Sequence, residues 1–412
     1  MSEACAMKRP FRLIGKKGCP GDDRFFGFVA AFFAMATVLV DLVRYIAYVT
    51  FPQVTAVVEP LRNLVYIGIM LYVAYLFIRY GVDWFEVIFT LVSIAAWGLS
   101  VLICPQILDF GIPAALMYFS RVYVAVILFR QLKHYDDFAK KLTWFLPAAV
   151  LYAILAFFQS GDGYMPFSYN LIPAALMYMF LGFRGKNKVL GVIGAVLFVV
   201  ASFLGARGAM LGGCIGIALY FVILLFRGDK KKARKILLIV LAVCLALVIL
   251  AGAMIAIFRE ELAPLAEKSR TLNILINGLL FSDSGRSFHY GNIMAAIKAE
   301  PFRPHGLLAD RIVIAQEGTP THMTYPHNLA LEILYQWGLP LGIPLLCAIL
   351  WLFVSGLWSL RHADENRLAV MLTFVPIALV QIMLSSSYLM SWLFAIAVGL
   401  LLARKPDVTT AS

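Results

Sequence analysis

Apolar runs long enough to cross a lipid bilayer follow one another along most of this chain, and they restrict its fold more than any other feature. Crossing ~30 Å of hydrocarbon takes about 20 apolar residues in a helix. Segments such as Ile236 to Phe258 carry no charged side chain at all. A transmembrane barrel would instead show alternating strands of about ten residues. Hydrocarbon offers backbone N–H and C=O groups no partner, so a continuous apolar run must satisfy them internally, as a helix does. The hydrophobic share of 62% lies far above that of a soluble domain.

The expected fold is therefore an all-α integral membrane protein of about 12 transmembrane helices. Spans are predicted near 25–47, 63–80, 84–104, 111–130, 142–159, 169–183, 189–206, 208–226, 236–258, 339–359, 368–385 and 388–403. Twelve spans put both termini on one side. The predicted division is an N-terminal transmembrane bundle over 1–258, a polar loop and cap over 259–338, and C-terminal transmembrane helices over 339–412. The first run is too long for a signal-peptide core and lacks a following small-residue cleavage site, so it reads as an uncleaved span.

Lysine and arginine assign the sides, because short loops rich in them stay in the cytoplasm. Arg79 and the clusters Lys8 to Arg24, Arg130 to Lys141, Arg184 to Lys188, Arg227 to Lys235, Arg361 with Arg367, and Arg404 with Lys405 hold most of the 35 basic residues. All fall on one side. Loops 105–110, 160–168 and the Ser385 to Ser387 turn carry neither residue type. The termini are accordingly expected in the cytoplasm and the long polar stretch, Arg259 to His327, outside. That stretch balances its basic and acidic residues, so the net charge of +12 expresses topology and implies no nucleic-acid partner. Its lack of cysteine argues against a disulfide scaffold there.

The insertion has apolar material at Leu272 to Phe281, then the turn-like Ser282 to Gly285. A helix is predicted from about Arg286, capped by Asp283 or Ser284, with Phe288, Ile293, Ala296 and Ile297 as its apolar positions. A second helix is predicted to start beside Pro326 and His327 and to end at Gly338.

Arg44, Arg62, Arg121 and Arg207 fall outside the cytoplasmic clusters, in or at the outer edges of spans. A cation at the bilayer centre costs at least ~2.5 to 3.5 kcal/mol, so each must pair, snorkel or line a polar cavity. Arg44 has Asp41 one turn away on the same helix. Arg207 stands between Ala206 and Gly208 at a predicted hairpin, where small neighbours let an anionic ligand approach. His327 closes the insertion at the membrane edge, and a neutral imidazole can accept a hydroxyl proton. His289, His305 and His322 are weaker candidates for that role.

Pro326-His327-Asn328 followed by Gly338 resembles the signature of the O-antigen ligase and O-antigen polymerase superfamily. Ser284-Gly285-Arg286, the Pro301 to Gly306 stretch and Arg207-Gly208-Ala209 resemble its other landmarks, in the same order. Three features depart from the pattern: Tyr290 stands where tryptophan is common, Gly338 to Gly342 is one residue longer than the usual glycine pair, and Ala206 replaces a serine. The resemblance implies a GT-C-like glycosyltransferase of the bacterial inner membrane, with a helical periplasmic cap. It would transfer O-antigen polysaccharide from undecaprenyl diphosphate to a hydroxyl of the lipid A core oligosaccharide. His327 would act as base or acceptor-positioning group, and Arg207 and Arg286 would hold the diphosphate. Asn328, Arg44, Arg62 and Arg121 are further substrate-binding candidates. The acids of the insertion are scattered and form no paired motif, so no metal or other cofactor is expected. The rival readings are an O-antigen polymerase, an O-linked protein oligosaccharyltransferase and, in a different class, a lipid or anion transporter.

Overall fold

The computed structural model describes residues 12–14, 19–50, 55–156, 164–184, 187–204, 206–228, 286–315 and 325–403, with the helical positions Lys231, Arg234, Leu238, Ala253 and Ile257. Most of the predicted span 236–258, the stretch 259–285 with Asp283, Ser284 and Gly285, His322, Gly205 and residues 404–412 lie outside the described residues.

The described chain is helical apart from a small antiparallel pairing of β1 (Arg12–Ile14) with β2 (Val82–Asp83). The helices are α1 (Phe26–Thr50), α2 (Thr55–Tyr80), α3 (Trp84–Ile103), α4 (Leu108–Met117), α5 (Val124–Arg130), α6 (Tyr135–Thr143), α7 (Leu146–Ala156) and α8 (Tyr164–Phe183). After these come α9 (Lys188–Leu204), α10 (Arg207–Phe226), α11 (Arg286–Ala299), α12 (Ala309–Val313), α13 (Leu329–Ser359), α14 (Glu365–Leu384) and α15 (Trp392–Leu402). A π-turn over Tyr118–Tyr123 joins α4 to α5 in one continuous unit. Each predicted span covered by the described residues falls on a helix. Among those residues, seven units meet the length and hydropathy needed to cross a membrane: α1, α2, α3, α4–α5, α10, α13 and α14. The α6–α7 pair, bent by 48°, is an eighth. Among the described residues, length and composition thus identify seven or eight membrane-crossing units.

Lipid tails are as apolar as leucine, so helices in a bilayer associate through close packing more than through hydrophobic exclusion. Gly212 and Gly216 on α10 provide that closeness against α14. A Cβ at Gly212 would stand 2.7 Å from the Ile377 Cα, and one at Gly216 would stand 2.7 Å from the Leu372 carbonyl oxygen. α14 is the most enclosed of the spanning-length units, with Leu368 to Ala378 buried throughout. On α2 and α3, Leu64, Ile78, Leu91 and Leu102 face outward as apolar surface, as expected for helices bordering lipid.

The basic loops gather at one end of the bundle. Arg79 pairs with Asp23 at 3.2 Å, Arg130 with Asp83 at 2.8 Å and Arg184 with Glu365 at 3.4 Å. Asp83 also begins α3 through a capping box: it accepts from the Glu86 N–H at 3.0 Å, and Glu86 accepts from the Asp83 N–H at 2.8 Å. Arg227, after α10, donates to the Arg361 carbonyl at 3.1 Å.

At the opposite end a second, smaller hydrophobic cluster forms. Ile293, Ile297, Leu307, Leu308, Ile314 and Tyr335 pack with Trp97 and Ile107 from α3 and the turn after it. α13 breaks here at Gly338, whose φ of 68° and ψ of 164° are essentially confined to glycine. The loop 301–306 holds the break. His305 and Gly306 donate their backbone N–H groups to the Gln336 carbonyl at 3.1 and 3.0 Å, and the Leu339 N–H donates to the Pro301 carbonyl at 2.9 Å. The predicted helix end at Gly338 is thus found as a rigid joint, with the chain continuing as helix beyond it.

Candidate functional site

The site is built where α8, α10, α11, the start of α13 and the turn after α14 converge. Ser385, just past α14, is its hub. The Tyr169 hydroxyl of α8 donates to Ser385 Oγ at 2.9 Å, and the Tyr325 hydroxyl donates to the Ser385 carbonyl at 2.8 Å. Gly208, next to Arg207 at the start of α10, fits against the same pair. A Cβ there would stand 2.4 Å from the Tyr169 hydroxyl and 3.3 Å from Ser385 Oγ. Ser168 accepts from the Ala206 N–H at 2.7 Å, fixing the chain just before Arg207.

His327 lies beside this hub. Its ring packs against Tyr325 with centres 4.3 Å apart, and its carbonyl accepts from the Tyr290 hydroxyl at 3.2 Å. Its φ of 54° is in the left-handed region, a conformation costing about 1–3 kcal/mol unless the surroundings enforce it. Those two contacts, together with the helix start at Asn328, do so. Burial, then the Arg286 cation and then His289, push the His327 imidazole down to about 4. Near neutral pH it is therefore uncharged and has a proton-accepting nitrogen.

Arg286 opens α11. Its charge is felt at His327 and also at the Tyr169 hydroxyl, which places it electrostatically between the start of α13 and α8. The sequence-predicted trio of Arg207, Arg286 and His327 is thus carried on elements that meet at one place. Asn328 takes a structural position: its Oδ1 accepts from the Ala330 and Leu331 N–H groups at 3.0 and 3.2 Å and caps α13.

Arg44, Arg62 and Arg121 gather in a neighbouring cluster. Asp41 on α1 accepts from Tyr152 at 3.2 Å and from the Asn170 amide at 2.9 Å, within the fields of Arg44 and Arg62. Arg121 lies over the Tyr66 ring at 4.7 Å. Arg62 and Asp41 also act on Tyr66, so all these groups share one polar region. Consecutive residues of α8 join the two clusters, Tyr169 facing Ser385 and Asn170 facing Asp41.

Several participants were missed in the sequence. Helix α11 does not present Phe288 inward; that residue is 56% exposed. Phe288 is five positions before Ile293, well off the face that buries Ile293 and Ile297. His289, four before Ile293, shares that face. A polar network under the site was equally unforeseen. Gln336 donates to Asp310 at 2.5 Å, Tyr388 donates to Gln336 at 2.7 Å, and the Ser387 hydroxyl donates to Glu332. Asp310 is completely buried, which pushes its carboxyl above the usual range, with Arg311 and Gln336 opposing the shift. The signal was present in the three consecutive serines after α14, read before only as a loop without lysine or arginine. His305 is engaged in bracing: it stacks on Tyr335 at 4.1 Å, and its Nδ1 lies 3.0 Å from the Tyr335 carbonyl. Among the described residues, no group of three or more His, Cys, Asp or Glu side chains has the spacing to hold a metal ion.

Apolar helices of spanning length, with arginines and a buried neutral histidine gathered at one end, define an all-α, multi-pass membrane protein with a polar site. Residues 190–346 match the family model described as O-antigen ligase. The match runs from α9 past the break in α13 and includes Arg207, Arg286, His327 and Asn328. Family members are glycosyltransferase-like ligases and polymerases acting with lipid-linked polysaccharide substrates. No curated protein and no solved structure gives a match.

Proposed function

We propose that this protein is an O-antigen ligase. It transfers O-antigen polysaccharide from undecaprenyl diphosphate to a hydroxyl of the lipid A core oligosaccharide at the periplasmic face of the bacterial inner membrane. The observation that carries this reading is the convergence of the elements bearing Arg207, Arg286 and His327 around Ser385 and Tyr169. The reading includes cytoplasmic termini, about 12 spans, and residues 259–338 as a periplasmic cap over the bundle. The site then lies between cap and membrane, where both amphiphilic substrates can reach it.

In this mechanism the acceptor hydroxyl attacks the anomeric carbon while His327 takes its proton. Arg207 and Arg286 hold the departing diphosphate, a task suited to guanidinium because its planar fork stays charged and donates several hydrogen bonds. An imidazole held near 4 is a weak base, and burial and Arg286 are the two largest causes. The anionic donor offsets the Arg286 charge, so its arrival strengthens His327 at the moment a base is needed. Arg44, Arg62 and Arg121 act as donor contacts within the membrane. Asn328 contributes by fixing the start of α13 beside His327. Direct displacement inverts the anomeric configuration, and retention in the linkage formed would defeat the mechanism.

The deciding experiment combines purified protein in detergent with undecaprenyl diphosphate-linked glycan and O-antigen-free lipopolysaccharide, with and without chelator. Glycan transferred to the core supports a ligase. Glycan added only to another lipid-linked glycan makes it a polymerase, and no product with either acceptor favours a transporter.

A further inference from the structure

We propose that His289 is a second proton-handling residue of this site, receiving the proton that His327 removes from the acceptor hydroxyl and passing it to the departing diphosphate. This rests on the reading of His327 as the base.

His289 is on α11, three residues after Arg286 and four before Ile293. The three share one side of the helix, so the stripe that buries Ile293 and Ile297 also turns Arg286 and His289 toward the start of α13. The His289 and His327 ring centres are 6.5 Å apart, with planes 40° from one another. The Phe288 and His289 ring centres are 5.9 Å apart with planes at 67°. In both histidines Nδ1 is buried and has no hydrogen-bond partner among the described residues. An unmet buried polar group costs about 1–3 kcal/mol, so two such nitrogens on neighbouring rings call for a polar partner. Two hydrogen bonds of ~2.8 Å to one tetrahedral oxygen set their nitrogens ~4.5 Å apart, and ring centres about 1 Å further on each side. The observed spacing suits a single bridging oxygen.

The chemistry requires such a path. In an inverting transfer the base and the leaving group stand on opposite faces of the sugar, with catalytic groups typically ~6.5–9.5 Å apart. His327 cannot then return its proton to the diphosphate directly. As the acceptor oxygen bonds the anomeric carbon, its proton goes to His327. The bond from that carbon to the diphosphate oxygen breaks, leaving its electron pair on that oxygen. The proton moves from His327 through one water to His289, and from His289 to the diphosphate oxygen beside Arg286. Both imidazoles end neutral, and the products are the glycoside and the protonated lipid diphosphate.

The test uses the full chain in detergent, with undecaprenyl diphosphate-linked glycan as donor and O-antigen-free lipopolysaccharide as acceptor. His289→Gln is expected to lower kcat by about 10²-fold, the low end for proton-transfer catalysis, with donor KM within about two-fold. Added imidazole should recover part of the rate of His289→Gly. A wild-type kcat in His289→Gln, or a raised donor KM with kcat unchanged, overturns the relay. Should neither variant insert, the wild-type rate in mixed light and heavy water decides: a curved dependence fits two moving protons, and a linear one overturns the proposal. His327→Ala at wild-type rate would remove the underlying base reading, whereas an inactive His327→Ala beside a fully active His289→Gln removes the relay alone.

Discussion

The Tyr325 ring rests against the His327 ring with centres 4.3 Å apart, while the Tyr325 hydroxyl is tied to the Ser385 carbonyl at 2.8 Å. One tyrosine thus links the residue proposed as base to the turn after α14, and it excludes water from one side of the imidazole.

His327→Ala should lower transfer by about 10²- to 10⁴-fold while the protein still inserts and purifies. Glycan-transfer rates beside membrane yield check this, and a wild-type rate would show that another group takes the proton.

The pH profile should carry the mark of that enclosure. His327 is held at about 4 in the free protein, below the ordinary 6.5. Activity needing neutral imidazole should persist well below pH 6.5, and the acid limb of kcat/KM should lie near 4. The limb of kcat should appear at higher pH, because the bound anionic donor offsets Arg286. On the stability side, an unfolded chain binds the proton first as pH falls below 6.5. His327 therefore favours the folded state above that pH, and this contribution is lost progressively down to about 4. Superimposed limbs for the two rate constants would remove the proposed donor effect.

Arg207→Ala and Arg286→Ala should each cost about 10²- to 10³-fold in rate, as expected for loss of one preorganised donor to developing charge. Lysine at either position should recover only part, since it lacks the bidentate fork. Unchanged turnover in both alanine variants would eliminate the diphosphate clamp.

Gly208→Ala places a methyl group 2.4 Å from where the Tyr169 hydroxyl now lies. Overpacking of this kind typically costs about 1–3 kcal/mol, and here it should also separate Tyr169 from Ser385. Removing the hydroxyl makes room, so Gly208→Ala with Tyr169→Phe should be more stable than the sum of the single variants predicts. Thermal unfolding of the four proteins measures the coupling; simple additivity would contradict the contact.

Gly338→Ala should destabilise by about 1–3 kcal/mol, because φ of 68° with ψ of 164° is foreign to L-residues. The added Cβ would also meet the Phe302 carbonyl at 3.0 Å. A melting temperature equal to wild type would mean that the joint relaxes without loss.

The helical membrane fold was legible because apolar length is a one-dimensional property. Arg207, Arg286 and His327 were grouped in the sequence by their order and neighbours, and the elements that carry them meet around Ser385. What stayed hidden depends on direction in space. Counting apolar residues on α11 selected Phe288, whereas the side turned inward carries Arg286 and His289 with Ile293 and Ile297. Gln336 and Glu332 drew no notice in the sequence, and the fold shows both buried, Gln336 against Asp310 and Glu332 against Ser387. A polar residue in a membrane protein's loop gives no sign of whether water or another chain segment will satisfy it.

The π-turn at Tyr118–Tyr123 has a consequence of its own. Such a turn, closed by i→i+5 bonds, holds one residue more than the α-helical turn it replaces. Taking that residue out again would turn everything beyond it by about 100° relative to what precedes it. The side of Tyr66 on which Arg121 lies is therefore a matter of chain length as much as of residue identity. A single-residue deletion upstream could swing that cation toward the lipid without changing any side chain in the cluster.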